Sequence, residues 1–411
     1  MISITDPDIT HLQNDVESEH SMSKRFSQHS FFDLAFRSFF VSAAAVSIVS
    51  LTLWLGYLNG FSIIFSNGLT PTVWHIHEML FGFAATVAAG FLLTAVQTWT
   101  GRESIKGGAV ILLLCLWLLV RVSLFIDESF YIYSAVILQT LWWLVVIATF
   151  SSLVLKAKNR RNYLFIALLS VLMCLNIGVL VLDLQGRTDL ALHFSRTAVL
   201  MFGLLMGVLG GRVIPFFTNS ATQIGKINSP EFLTPLLFTT SILGILVFFT
   251  GQFIALPFTP AALMISAGLL HMFRLSYWHS AATIKVSLLW SLHLSYLSLA
   301  IGLLLLGASY LTSVILFSDA LHMITIGAMG LMILAMMSRV SLGHTGRKLQ
   351  PHKLVSVSFV FMFCAAVARV LLPMFEQIQL AWNLSAILWI AAGFIFLSIY
   401  IPILSSAKLS K

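Results

Sequence analysis

From Asp33 onward the chain is a succession of apolar runs of about 20 residues separated by short polar segments. A run of that length crosses the ~30 Å hydrocarbon core of a bilayer as a helix. The apolar positions are continuous within each run rather than alternating, which argues for helices and against a barrel. Twelve transmembrane helices are predicted, at residues 36–58, 73–96, 108–126, 131–155, 162–182, 191–217, 232–251, 259–279, 286–307, 317–339, 353–373 and 380–404. The sixth contains Gly210, Gly211 and Pro215 near its inner end, which is expected to be bent or unwound there. Residues 1–30 are polar and mixed in charge, with His11, His20 and His29, and read as a disordered cytoplasmic tail. No basic segment there leads into a short apolar stretch, so they do not read as a signal peptide. Residues 31–411 read as a single twelve-helix domain.

Composition sharpens this. Of 411 residues 59% are hydrophobic and 9% charged, against about 25% charged in an ordinary soluble domain. A soluble enzyme, a nucleic-acid-binding domain and a disordered chain are excluded, because too little polar surface remains to cover the apolar bulk. The net charge of +8 is therefore read as topology rather than nucleic-acid binding. Arg102, Lys106, Lys156, Arg160, Arg161, Arg212, Arg347 and Lys348 fall on one side. The opposite loops hold Asp127, Glu128, Asp183, Asp189 and Glu376, with Arg187 as their clear cation. Both termini are expected to be cytoplasmic, and even-numbered helices run inward. Cys115, Cys174 and Cys364 are scattered through apolar runs and read as core packing.

In so apolar a chain, ionisable residues inside the spans carry the functional signal. His75 and His77 open helix 2, His193 opens helix 6, and His322 opens helix 10. These imidazoles are expected at matched depth near the outer face. The separations, 118 residues from His75 to His193 and 129 from His193 to His322, suggest three pseudo-repeats of four helices. Each histidine precedes a glycine-rich stretch: Gly82 and Gly90, Gly203 and Gly207, Gly327 and Gly330. Small residues let helices approach closely and would also leave room for a flat cofactor. Neutral imidazole enters a membrane without a charge penalty and is the commonest metal ligand. Two imidazoles from two helices suit haem iron, and imidazole also suits copper. Each histidine could instead satisfy a backbone carbonyl. His75 and His77 lie about 200° apart around a helix, so they should not both face one metal; one would be a ligand and the other would support it or serve a separate site. Glu78 is placed to orient one of them.

His271 and His293 lie about equally far from the turn joining helices 8 and 9, so they form a second candidate pair, for a metal or for a proton or substrate path. Trp290 and Tyr296 flank His293 at i−3 and i+3. Arg196 shares a face with His193 and needs an anion, either a carboxylate or a haem propionate. Arg121 and Arg369, near outer helix ends, are expected to snorkel.

Four stretches carry a family resemblance. They are Trp74-His75-Ile76-His77-Glu78-Met79-Leu80-Phe81-Gly82-Phe83 with Trp99-Thr100-Gly101-Arg102, Gly211-Arg212-Val213-Ile214-Pro215-Phe216-Phe217-Thr218-Asn219, Leu289-Trp290-Ser291-Leu292-His293-Leu294-Ser295-Tyr296, and the segment from His322 through Arg339 to His344. Together they resemble the NnrS family of bacterial membrane proteins across about residues 30–404. The resemblance implies a twelve-span inner-membrane protein containing haem and copper, linked to nitric oxide and nitrosative stress. Its matched positions are His75, His77, Glu78, Arg212, Asn219, His293, His322, Arg339 and His344. The histidines on helices 2, 6 and 10 also resemble, as an architectural analogy alone, those of the haem–copper oxidase subunit with its three arcs of four helices. Helix 7 lacks the histidine which that subunit's copper centre would need.

Three functions are compatible with these residues. One is a haem- and copper-containing protein acting on nitric oxide, with His75, His77, His193, His322, His271 and His293 as metal ligands and Glu78, Arg196, Arg212, Asn219 and Arg339 anchoring the cofactors. Quinol in the bilayer would be a natural electron donor. The second is a transporter using intramembrane His and Arg as a proton or anion site. The third is a sensor, or a chaperone that hands on haem, iron or copper. Whether the protein is an enzyme is left open by the sequence.

Overall fold

The structure, a computed structural model, describes residues 29–61, 68–126, 129–223, 225, 227 and 229–409. The tail expected at 1–30 lies almost wholly outside them. Among the described residues the protein is all-helical, without strands. Twelve helices carry the fold: α1 (Ala35–Leu58), α2 (Pro71–Thr100), α3 (Gly108–Phe125), α4 (Ser129–Lys156), α5 (Tyr163–Leu184), α6 (Thr188–Thr222), α7 (Leu233–Thr250), α8 (Ala261–Ser276), α9 (Ser287–Ala308), α10 (Phe317–His344), α11 (Lys353–Leu371) and α12 (Ile378–Ser405). Eleven are long and apolar enough to cross a membrane, and α8 is the shorter exception. The chain is thus a multi-pass membrane protein, with helices close to where the apolar runs predict them.

The helices pack in three arcs of four, α11–α12–α1–α2, α3–α4–α5–α6 and α7–α8–α9–α10, and α12 lies along α1. Each arc ends on a histidine-bearing helix, and α6 touches both α2 and α10. In their most apolar stretches α2, α6 and α10 are 78%, 61% and 72% buried, whereas the peripheral α4 and α7 are 28% buried. α2, α6 and α10 therefore take inner positions in the bundle, and α9 joins them at 61%.

Two features of these helices are invisible in the hydropathy pattern. α2 widens into a π-helical turn at Glu78–Ala84 and α10 does the same at Met323–Gly330, each directly after a histidine. Such turns are rare and concentrate at functional sites. In α2 the Gly82 carbonyl accepts a hydrogen bond from Trp117 Nε1 of α3 at 3.3 Å. By contrast, α6 stays helical through Gly210, Gly211 and Pro215, so its inner end is not unwound. Proline cannot bond the carbonyl four residues back. That carbonyl, of Gly211, receives the Arg274 guanidinium from α8 at 3.5 Å instead.

The glycines do not leave room for a cofactor. A Cβ on Gly90 would meet Phe39, one on Gly207 would meet His271, and one on Gly327 would meet Ser298 and Ala366. Their lack of a side chain is used for close helix approach. At Gly330 a Cβ would stand 2.5 Å from Trp389 of α12 and 3.1 Å from Met362 of α11. Gly330→Ala is therefore expected to cost about 1–3 kcal/mol through overpacking, read as a lowered unfolding temperature in detergent. Cys115, Cys174 and Cys364 are exposed on the outer surface of the bundle, rather than packed in its core, because their helices turn those faces to the lipid.

Candidate cofactor cavity

A cavity of about 440 Å³ opens where α1, α2, α6, α10, α11 and α12 meet. That volume falls within the ~300–1,000 Å³ of sites that enclose organic ligands. Most of its wall is apolar. Its titratable His and Arg groups are four: His75 from α2, His322 from α10, Arg196 from α6 and Arg369 from α11. The His75 ring is stacked on Trp54, centroids 4.5 Å apart and 10° from parallel, and its buried Nδ1 has no partner. His322 Nδ1 lies 2.6 Å from the Ser318 carbonyl. A carbonyl only accepts, so Nδ1 carries the proton and Nε2 keeps a free lone pair. This is the tautomer a metal-binding imidazole needs, fixed by the contact that usually fixes it.

The two arginines are placed differently. Arg369 is ion-paired with Asp319, which sits one turn before His322 on α10. Arg196 has no carboxylate partner among the described residues, and its guanidinium lies 5.6 Å from the centre of the Phe317 ring. It also borders a second cavity of about 450 Å³ that contains His193.

The four matched-depth histidines thus do not share one place. His75 and His322 do. His77 points to the far side of α2, as two positions' rotation demands, into a fully buried cluster. Its Nδ1 is 3.2 Å from Glu78 Oε1, which is 3.0 Å from Arg121 Nη1; Arg121 Nη2 donates to Gln139 Oε1 at 3.0 Å. The Arg121–Glu78 contact is ionic rather than a well-aligned hydrogen bond, and His77 Nε2, Glu78 Oε2 and Arg121 Nε have no partner. Arg121 and Arg369 do not snorkel: both are buried against a carboxylate, Glu78 and Asp319. His193 is stacked on Phe248 at 4.8 Å, with Nε2 3.1 Å from the Phe249 carbonyl.

His271 and His293 do not face each other as a pair. His271 Nδ1 meets the Tyr296 hydroxyl at 2.7 Å. His293 has both nitrogens engaged, Nε2 with Thr218 at 2.8 Å and Nδ1 with Ser280 at 2.9 Å. Trp278 packs against Tyr296 and His293, while Trp290 packs against Phe359. Arg212 donates to Asn162 at 3.0 Å, Arg339 sits over Phe217 at 3.8 Å, and Asn219 is exposed near the end of α6. None of these three lines the His75/His322 cavity.

Among the described residues no three His, Cys, Asp or Glu side chains converge as a metal centre. The two-imidazole cavity does fit a haem: two ring ligands from different helices, an apolar wall, and two guanidinium groups for its carboxylates. Sequence reasoning missed Trp54, Asp319 and the pairing of Arg369. An acid inside a membrane span is a signal in itself, and it would have found Asp319.

No curated protein matches the chain. The family model described as NnrS protein matches residues 30–408. That span takes in all twelve helices and every residue lining the His75/His322 cavity, and the protein belongs to the NnrS family.

Proposed function

We propose that the protein is a haem-binding membrane protein acting on nitric oxide, with His75 and His322 holding the haem between α2 and α10. The observation that carries this is their convergence on one apolar cavity, with His322 in the ligating tautomer. Haem held there would supply an iron to which a small diatomic such as nitric oxide can bind where one of the two imidazoles gives way. The rest is done by the chain. Trp54 holds the His75 ring flat against it. Arg196, without a carboxylate partner among the described residues, would receive a haem carboxylate, which an apolar site could otherwise bury only at high cost; Arg369, already paired with Asp319, borders the same cavity. Nitric oxide is apolar and would reach the cavity through lipid, so no polar tunnel is needed.

A transporter has less support. Transporters bind near the midplane at broken helices, and α6, the expected break, is continuous. Purified in detergent from haem-replete cells, the protein is expected to show a Soret band that shifts when nitric oxide is added anaerobically. A colourless preparation would overturn the proposal and favour transport.

A further inference from the structure

A different cavity, of about 360 Å³, lies among α5, α6, α7 and α8. Two guanidinium groups border it, Arg212 from α6 and Arg274 from α8. Neither has an ion pair among the described residues; Glu231, at the exposed start of α7, forms none. Arg274 is buried, and its Nε has no partner. Gly211 makes this position possible, since a Cβ there would occupy the place of the Arg274 guanidinium. Two unneutralised cations at one cavity in an apolar bundle call for an anion.

The remaining polar lining points the same way. The Tyr296 phenol is hydrogen-bonded to His271 Nδ1, and its one proton has no other acceptor among the described residues. His271 therefore carries its own proton on Nε2, a donor. Thr234 and Ser241 add hydroxyls, and the first turn of α7 contributes the positive end of its dipole. A donor-rich site of charge about +2 suits a phosphate.

The cavity opens sideways. Thr234 and Pro235 at its rim are exposed, and Leu164, Leu237 and Phe238 form an apolar wall. Moreover α8 has only 16 residues, about 24 Å of helix against the ~30 Å of a bilayer core. A helix that short leaves room for a headgroup to be drawn inward, and Arg274 stands in its last turn. We propose that this cavity binds the phosphate of an anionic phospholipid, which enters from the bilayer between α5 and α7. This site is separate from the haem cavity and does not depend on it.

The test is native mass spectrometry of the purified full chain titrated with phosphatidylglycerol or phosphatidylcholine. The wild type should bind phosphatidylglycerol about tenfold more tightly or better, and a large excess of inorganic phosphate should not displace it. Arg212→Gln/Arg274→Gln should bring the two lipids level while leaving the protein monodisperse. Equal binding of both lipids by the wild type overturns the proposal, whether or not the double variant folds. So does an undiminished preference in a folded double variant. Displacement by inorganic phosphate would assign the site to a free oxyanion, and a co-purified quinone lost in the variant would assign it to a neutral redox carrier; either result overturns the lipid assignment.

Discussion

Arg121→Leu will destabilise the bundle by about 3–5 kcal/mol, the cost of leaving one member of a buried ion pair alone. Glu78 is fully buried, with Arg121 as its cationic partner at 3.0 Å and His77 beside it at 3.2 Å. Removing the guanidinium leaves a carboxylate in an apolar interior, and Gln139 loses the donor to its Oε1. The paired replacement Glu78→Leu/Arg121→Leu should recover much of the loss, because two apolar residues leave no isolated charge. Thermal unfolding in detergent measures both. A single variant as stable as the wild type would show that the pair does not hold α2 to α3. The His75/His322 cavity borders neither residue, so any Arg121→Leu protein that still folds should keep its haem.

Arg369→Leu should behave differently although it breaks the same kind of pair. It strands Asp319 on α10, again at about 3–5 kcal/mol. Arg369 also lines the cavity with His75 and His322. The uncompensated Asp319 carboxylate would stand within a turn of His322 and repel any carboxylate that Arg369 is placed to receive. The folded fraction of Arg369→Leu should therefore lose most of its haem. The readout is haem per folded protein, set beside the same ratio for Arg121→Leu. Equal ratios in the two variants would mean that Arg369 is structural only.

These arginines also show where sequence reading stops. Hydropathy located all twelve helices because a span must be apolar over its whole length, a property of each segment alone. The 3.6-residue turn correctly sent His75 and His77 to different sites, which is again local geometry. Snorkelling is the natural expectation for Arg121 and Arg369 because each lies near a helix end and no acid falls within its own span nearby in sequence. Their partners, Glu78 and Asp319, are 43 and 50 residues away, and only the packing of α3 on α2 and of α11 on α10 joins them. The π-helical turns and the stacking of Trp54 on His75 depend likewise on neighbours, not on local pattern. That four histidines open α2, α6 and α10 is legible in the sequence; which of them share a cavity depends on helix rotation, which spacing between helices does not encode.

The most direct measurement is haem content across single histidine variants purified in parallel: His75→Ala, His322→Ala, His77→Ala, His193→Ala, His271→Ala and His293→Ala. The predicted result is loss of the Soret band in His75→Ala and His322→Ala, with haem retained by the folded protein in the other four. Retention of haem in both His75→Ala and His322→Ala, or loss in His193→Ala or His271→Ala alone, would contradict the assignment of the cavity.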